Sequence, residues 1–224
     1  MGTKVKIKST EMLNHNVKRF TTSKPEGYSF TPGQATSLNL YRDNYRSKER
    51  PFTFTSTPED SDLEFTIKLY YEKDGVTDEM SSVEAGEHFE IGEAWGAIKY
   101  QGPGVFIAGG AGITPFVSIF RELEKSGQLF SNHLWFANST PKDIFLEKEL
   151  RRYFAAENLR LLVSDNNDGS YHEGTLDKDD FREHLELLSE GYLYLCGPPE
   201  MTADMIQSLK DLGIDEERIV HEDF

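Results

Sequence analysis

Gly104-Val105-Phe106-Ile107-Ala108-Gly109-Gly110-Ala111-Gly112-Ile113-Thr114-Pro115-Phe116 decides how this chain folds. The apolar run 105–108 reads as a buried strand. Glycines follow at 109, 110 and 112. Pro115 falls where a helix begins, and Phe116, Ile119, Phe120 and Leu123 recur at helical spacing. Strand, glycine-rich turn and helix start together make an anion site, because glycine permits close backbone approach and free amides face a phosphate. The spacing departs from G-x-G-x-x-G. Taken alone, the turn also fits any tight strand-to-helix connection, so its weight rests on the strand–turn–helix context.

Downstream of this stretch, strands alternate with helices. Strands are expected at 105–108, 133–137, 159–163, 192–195 and 218–221, and helices at 115–125, 144–154, 178–188 and 199–212. Asp143 and Asp177 are candidate N-caps of the second and third helices. Repeated β-α order predicts a five-stranded parallel sheet covered on both faces, with ligands at the carboxyl ends of its strands. Two motifs fall there: the Gly109–Gly112 turn and Cys196-Gly197-Pro198-Pro199-Glu200-Met201.

Upstream, the pattern has period two. Lys4-Val5-Lys6-Ile7-Lys8 alternates as a half-buried strand does. Further strands are expected at 17–21, 35–40, 52–55, 63–71 and 88–91. They are separated by Pro25-Glu26-Gly27, Pro32-Gly33, Asp74-Gly75 and Glu84-Ala85-Gly86. This predicts a six-stranded antiparallel barrel. Gly102-Pro103-Gly104 marks the change of pattern, giving two domains, 1–101 and 102–224.

The 224 residues suffice for two small cores. No apolar run has the length of a membrane span, and the first ten residues lack a signal-peptide core, so a cytoplasmic protein is expected. Cys196 is the single cysteine, which excludes an internal disulfide and a four-thiolate metal or iron–sulfur site. The six histidines form no H-x-x-x-H pair, and no metal is expected. A net charge of −15 argues against nucleic acid. Residues 1–100 hold 13 Lys and Arg against 16 Asp and Glu, and residues 101–224 hold 11 against 23. The basic residues Lys4, Lys6 and Lys8, Lys18 and Arg19, and Arg42, Arg46, Lys48 and Arg50 read singly as solvated surface. Together they would offer a docking face to an acidic protein.

A barrel, then a parallel-sheet nucleotide domain, with these two motifs, resembles the ferredoxin–NAD(P)+ reductase superfamily. Four stretches carry the resemblance across essentially the whole chain. Arg50-Pro51-Phe52-Thr53 is similar to the family's flavin motif Arg-x-Tyr-Ser/Thr, with phenylalanine for tyrosine. Gly109-Gly110-Ala111-Gly112-Ile113-Thr114-Pro115-Phe116 is similar to its pyridine-nucleotide loop. Residues 196–201 resemble its Cys-Gly-x-x-x-Met signature. Glu222-Asp223-Phe224 resembles the Glu-x-Tyr end of plant-type members.

The resemblance implies FAD, ahead of FMN, bound by Arg50, Pro51, Phe52 and Thr53. Arg50 offers a rigid fork to a flavin phosphate, Phe52 an aromatic neighbour to the ring, and Thr53 a hydroxyl for flavin N5. Thr77, Met80 and Ser81 stand where the family holds the flavin diphosphate, although the sequence departs there from the Gly-x-x-Ser form. The nicotinamide nucleotide falls to Gly109, Gly110, Gly112, Thr114, Asn138, Cys196, Gly197, Pro198 and Met201. Phe224 is implied to stack on the flavin. The implied catalytic residues are Thr53, Cys196, Glu222 and Phe224. Asn138-Ser139-Thr140-Pro141-Lys142-Asp143 holds one lysine and no arginine and resembles the loop of NADH-linked cytochrome b5 reductases, which favours NADH over NADPH. Asp143 is assigned to capping rather than to the ribose. The function implied is hydride transfer from NAD(P)H to bound FAD, then electron transfer to a separate acceptor, with flavodoxin or ferredoxin first. The alternatives are a flavin reductase that releases its flavin and a non-catalytic nucleotide-sensing module.

Overall fold

The computed structural model describes residues 2–71 and 75–222. Residues 1–96 and 114–122 form one compact unit, and residues 97–113 and 123–224 form a second.

The first unit is a six-stranded antiparallel, nearly closed barrel: β1 (Thr3–Met12), β2 (Val17–Ser23), β3 (Ala35–Leu40), β4 (Arg50–Thr53), β5 (Asp62–Lys68) and β6 (His88–Trp95). Their order is β4-β3-β6-β1-β2-β5. Closure comes just past β4, where Phe54 bridges Phe65 and the Thr55 N–H donates to the Glu64 carbonyl at 2.8 Å. Period two fills the interior: Val5, Ile7, Leu38, Leu63, Phe65, Ile67, Phe89 and Ile91 are all buried in one core. Register shifts between Ile7 and Ser9 and between Thr36 and Leu38 bend the paired strands as closure requires. Pro51 falls on the short strand at the end of the sheet order, where a missing N–H costs least. A one-turn helix α1 (Val76–Glu79) and a 3-10 turn (Met80–Ser82) lie between β5 and β6. The expected strands are present. β5 stops at Lys68, short of Tyr71, and β1 and β6 run on to Met12 and Trp95.

The second unit carries β7 (Gly104–Gly109), β8 (His133–Asn138), β9 (Leu159–Val163), β10 (His172–Glu173), β11 (Tyr192–Cys196) and β12 (Ile219–Val220), all parallel, in the order β10-β9-β8-β7-β11-β12. The sheet thus has six strands rather than the expected five. The added β10 is two exposed residues at an edge, too short and polar to leave a hydrophobic period. The helices are α2 (Thr114–Lys125), α3 (Glu147–Tyr153), α4 (Lys178–Glu183), α5 (Leu185–Leu188) and α6 (Pro199–Asp211). β7 is buried at every residue, as a central parallel strand should be.

Three helix expectations need correction. The helix expected over 144–154 starts only at Glu147, because Ile144 and Phe145 are buried ahead of it and Leu146 turns the chain with φ 60°. Asp143 therefore caps a 3-10 turn (Pro141–Asp143), accepting from the Thr140 N–H at 3.0 Å and hydroxyl at 2.7 Å. The helix expected over 178–188 breaks at His184, whose backbone is non-helical. Asp177 does cap α4, accepting from the Asp179 and Asp180 N–H groups.

The first nine residues of α2 cluster with the barrel unit. Ser118 Oγ donates to the Ser56 carbonyl at 2.6 Å, and Arg121 Nη1 to the Thr55 carbonyl at 2.6 Å and Glu64 Oε1 at 2.7 Å. In the second unit, the buried Tyr194 phenol accepts from the Gln101 N–H at 2.8 Å and donates to the Gly102 carbonyl at 2.7 Å. Its ring stacks on Phe106, with centroids 4.1 Å apart.

Candidate active site

In the parallel sheet, strand order reverses at β7: β8, β9 and β10 lie on one side, β11 and β12 on the other. Such a reversal opens a crevice at the carboxyl ends of the strands. Register places the two sequence motifs side by side there. Ala108 pairs with Cys196 on one side and with Phe136 on the other, and Gly109 pairs with Ala137.

Glycine is required at this junction by contact. A Cβ on Gly112 would overlap the Cys196 carbonyl and lie 2.7 Å from the Gly197 nitrogen. A Cβ on Gly109 would lie 2.6 Å from Met201 Sδ and 3.0 Å from Pro198 Cδ. Gly110 adopts φ +52°, the left-handed region that side chains disfavour. Gly109, Gly112, Cys196, Gly197, Pro198 and Met201 are therefore one structure, two loops packed backbone on backbone.

Asn138 ends β8. Its Oδ1 and Nδ2 are both buried, and among the described residues neither has a hydrogen-bond partner. A buried amide left unpaired on both atoms costs stability unless something completes it. The Thr202 hydroxyl, one residue past Met201, is also buried and unpaired. No motif in the sequence points to Thr202, although its spacing puts it on the buried stripe with Met205 and Leu209.

Cys196 lies close enough to Glu222 for the two to interact electrostatically. Burial pushes the thiol up to about 12, with the nearby carboxylate adding to the effect. At neutral pH it is a protonated, weakly donating group and not a thiolate. Burial also raises Glu222, opposed by a hydrogen bond from the Ala97 backbone. Phe224 lies outside the described residues.

In the barrel unit, Arg50 and Pro51 are exposed and Phe52 and Thr53 half-buried. Arg50 Nη1 donates to the Glu49 carbonyl at 2.8 Å, and among the described residues Arg50 has no carboxylate partner. Phe52 packs against the barrel core from its rim. Thr77 and Ser81 are half-buried. Met80 is a correction: its side chain is fully enclosed in the barrel core, so it packs the fold and cannot touch a ligand.

The basic clusters also need correction. Lys18 is 4% exposed and is not surface. Lys8 pairs with Asp62, Arg19 with Glu11 at 3.0 Å, and Arg42 with Glu79 and Glu87. Lys4 and Arg46 lie over the Tyr41 ring at 4.0 and 3.9 Å.

The residues present fit two cofactors. The glycine junction brings the backbone of two loops together at the carboxyl ends of β7 and β11, and the Asn138 amide, without a hydrogen-bond partner among the described residues, adds polar recognition at the neighbouring strand end. The Arg50 guanidinium, exposed and without a carboxylate partner among the described residues, suits a phosphate.

Residues 2–104 match the family described as "FAD-binding domain", and residues 106–207 match "Oxidoreductase NAD-binding domain". The chain is 27% identical to the "Naphthalene 1,2-dioxygenase system ferredoxin--NAD(P)(+), reductase component" of Pseudomonas putida, over 97% of this chain and 67% of that protein. It is 29% identical to the human "NADH-cytochrome b5 reductase 1", over 84% of this chain and 74% of that protein. In fold it is similar to a ferredoxin NADP+ reductase from Neisseria gonorrhoeae solved with bound FAD and NADP. The TM-score is 0.85 at 20% identity, covering 98% of this chain and 97% of that one. Among the described residues, no helix is long and apolar enough to cross a membrane.

Proposed function

Since this chain belongs to the ferredoxin reductase-like superfamily, we propose that it is a flavin-dependent NAD(P)H oxidoreductase passing electrons to a separate acceptor. In this reading residues 1–101 bind FAD and residues 102–224 bind the nicotinamide nucleotide, in the cytoplasm. The observation that carries it is the glycine junction, where Gly109 and Gly112 pack on Cys196, Gly197 and Met201 at the reversal point of the sheet.

When bound, FAD supplies the chemistry: it takes two electrons as hydride from the nicotinamide and releases them singly. The chain binds and orients. Gly110, Gly112 and Thr114 offer backbone to the nucleotide diphosphate, and Asn138 uses its unpaired amide. Cys196, held protonated by burial, packs as a neutral group and brings no charge to the nicotinamide. Arg50 would hold the flavin diphosphate, Phe52 would flank the ring, and the Thr53 hydroxyl would donate to flavin N5. Thr77 and Ser81 hold the diphosphate from the α1 side. Glu222 would supply polar contact near the ring edge, and Phe224 would cover the flavin in the absence of nucleotide.

NADH is favoured over NADPH. Asp143 is occupied by its cap, and the Asp165 N–H donates to the Ser139 carbonyl at 2.8 Å, bringing an acidic residue beside the loop where a 2′-phosphate would need a cation. The acceptor is a small electron carrier of flavodoxin or ferredoxin type, or a small molecule. The visible spectrum of the purified protein, identification of the released flavin and NADH oxidation with ferricyanide test the reading. A chain that neither binds flavin nor turns over with added FAD refutes it.

The Arg50–Ser56 stretch, Arg-Pro-Phe-Thr-Phe-Thr-Ser, also resembles flavin reductases, which supports one second reading, a flavin that leaves. A protein that loses its yellow colour on gel filtration, yet reduces added flavin, would establish that version.

A further inference from the structure

Two cations that read in the sequence as surface charge are spent on a single segment of the barrel unit. Lys18 sits on β2 and is almost wholly buried, at 4% exposure. Its Nζ donates to the Ser81 carbonyl at 2.9 Å and the Val83 carbonyl at 2.7 Å, with Glu84 Oε1 3.5 Å away. Arg42, just past β3, divides its fork. Nε and Nη2 donate to the Glu87 carboxylate at 2.9 and 2.8 Å, and Nη1 to Glu79 and to Ser82 Oγ at 2.8 Å. Glu87 in turn accepts from the Glu84 N–H at 2.9 Å.

Residues 79–87 are thus tied down by side chains distant in sequence. Burying an ammonium is costly, and a methionine of similar length would fill the same space without that cost. What methionine would not supply is a donor for the Ser81 and Val83 carbonyls at the end of the 3-10 turn Met80–Ser82, whose own closing bond runs from the Val83 N–H to the Met80 carbonyl. The buried charge is therefore worth its desolvation where those carbonyls must be held in one geometry.

We infer that Lys18 is a positioning residue for flavin. Its ammonium fixes the Ser81 and Val83 carbonyls so that Thr77 and Ser81 meet the diphosphate in one arrangement, and Arg42 secures the far end of the same segment. Lys18 itself does not touch the flavin. The inference rests on the flavin reading above, in which this segment holds the diphosphate.

The full-length chain, stripped of flavin, provides the test. FAD affinity is measured by fluorescence quenching for wild type, Lys18→Met and Lys18→Arg, with 31P NMR of the bound FAD, the melting temperature of each flavin-free form, and nicotinamide-nucleotide affinity. Lys18→Met should bind FAD about tenfold or more weakly, as loss of charged hydrogen bonds predicts. Its bound diphosphate resonances should move, while nucleotide affinity stays at the wild-type value. Lys18→Arg, which can donate to the same carbonyls, should restore most of the affinity. If Lys18→Met does not fold, Arg42→Lys keeps the charge, loses the fork, and should move the same 31P resonances.

Wild-type FAD affinity with unmoved resonances in these variants overturns the inference alone. So does a loss that follows melting temperature equally in Lys18→Met and Lys18→Arg. A wild-type chain that takes up no flavin overturns the proposed function, and this inference with it.

Discussion

In the parallel-sheet unit the candidate site is backbone against backbone. Gly109 and Gly112 leave no room for a side chain beside Met201 and Cys196, so the contact is set by backbone and uncharged groups at Cys196, Gly197, Pro198 and Met201. In the barrel unit the matching residues are long side chains. Arg50 is exposed and lacks a carboxylate partner among the described residues, and the segment from Glu79 to Glu87 is fixed by Lys18 and Arg42. The contrast teaches that one half depends on the absence of atoms and the other on placed charge. The two halves should therefore fail differently.

The widest separation is expected from Gly112→Ala. Its Cβ meets backbone that cannot rotate away, and overpacking of this kind costs about 1–3 kcal/mol. Nucleotide affinity should fall by about tenfold or more while FAD content holds, as titration and flavin extraction would report. Equal loss of both cofactors would erase the distinction between the halves.

Arg50→Ala is the reciprocal case. Charged hydrogen bonds contribute about 1.5–3 kcal/mol, so flavin retention should weaken by roughly one to two orders of magnitude with nucleotide affinity intact. Unchanged retention would remove Arg50 from the phosphate role.

Asn138→Ala sharpens the comparison by changing sign between measurements. Removing two buried unpaired atoms should raise the melting free energy by about 1 kcal/mol, while nucleotide affinity falls. A destabilised variant would mean the amide is satisfied after all.

At neutral pH the smallest effect is that of Cys196. Its native pKa of about 12 lies above the ordinary 9.0, so the native state holds the proton more tightly than the unfolded chain. The stability this contributes is complete below about pH 9 and is lost as pH rises towards 12. Tyr194, also raised to about 12, acts in the upper part of that window in wild type and variant alike. The difference between wild type and Cys196→Ala in alkaline melting curves therefore isolates the thiol. Parallel curves would show that the thiol is not shielded.

The same contrast explains what sequence made legible. A site built from glycine spacing is written locally, so residues 104–116 and 196–201 carry the β-α frame and put both loops at the carboxyl ends of their strands, while their packing on each other is seen only in the fold. The barrel followed from alternation such as Val5 and Ile7 between lysines, and the third strand fell at its observed bounds, Ala35–Leu40. Features that depend on distant partners stayed hidden. Nothing local to Lys18 says that its ammonium meets carbonyls some sixty residues on. Met80 looks like any turn residue until the core closes over it. Leu146 is an ordinary helix former by composition, and only the burial of Ile144 and Phe145 forces its left-handed turn. His184 interrupts its helix where its ring meets Trp135 edge-on, at 5.1 Å between centroids.

The Tyr194 phenol, bonded to Gln101 and Gly102, bears on any attempt to express the second unit separately. A fragment started at the glycine-proline boundary would strip away Ile98, which is wholly buried, and Tyr100, whose ring lies 6.0 Å from that of Tyr194. The scissors belong upstream of Ala97, so that the few residues resembling a spacer travel with the sheet they help to insulate.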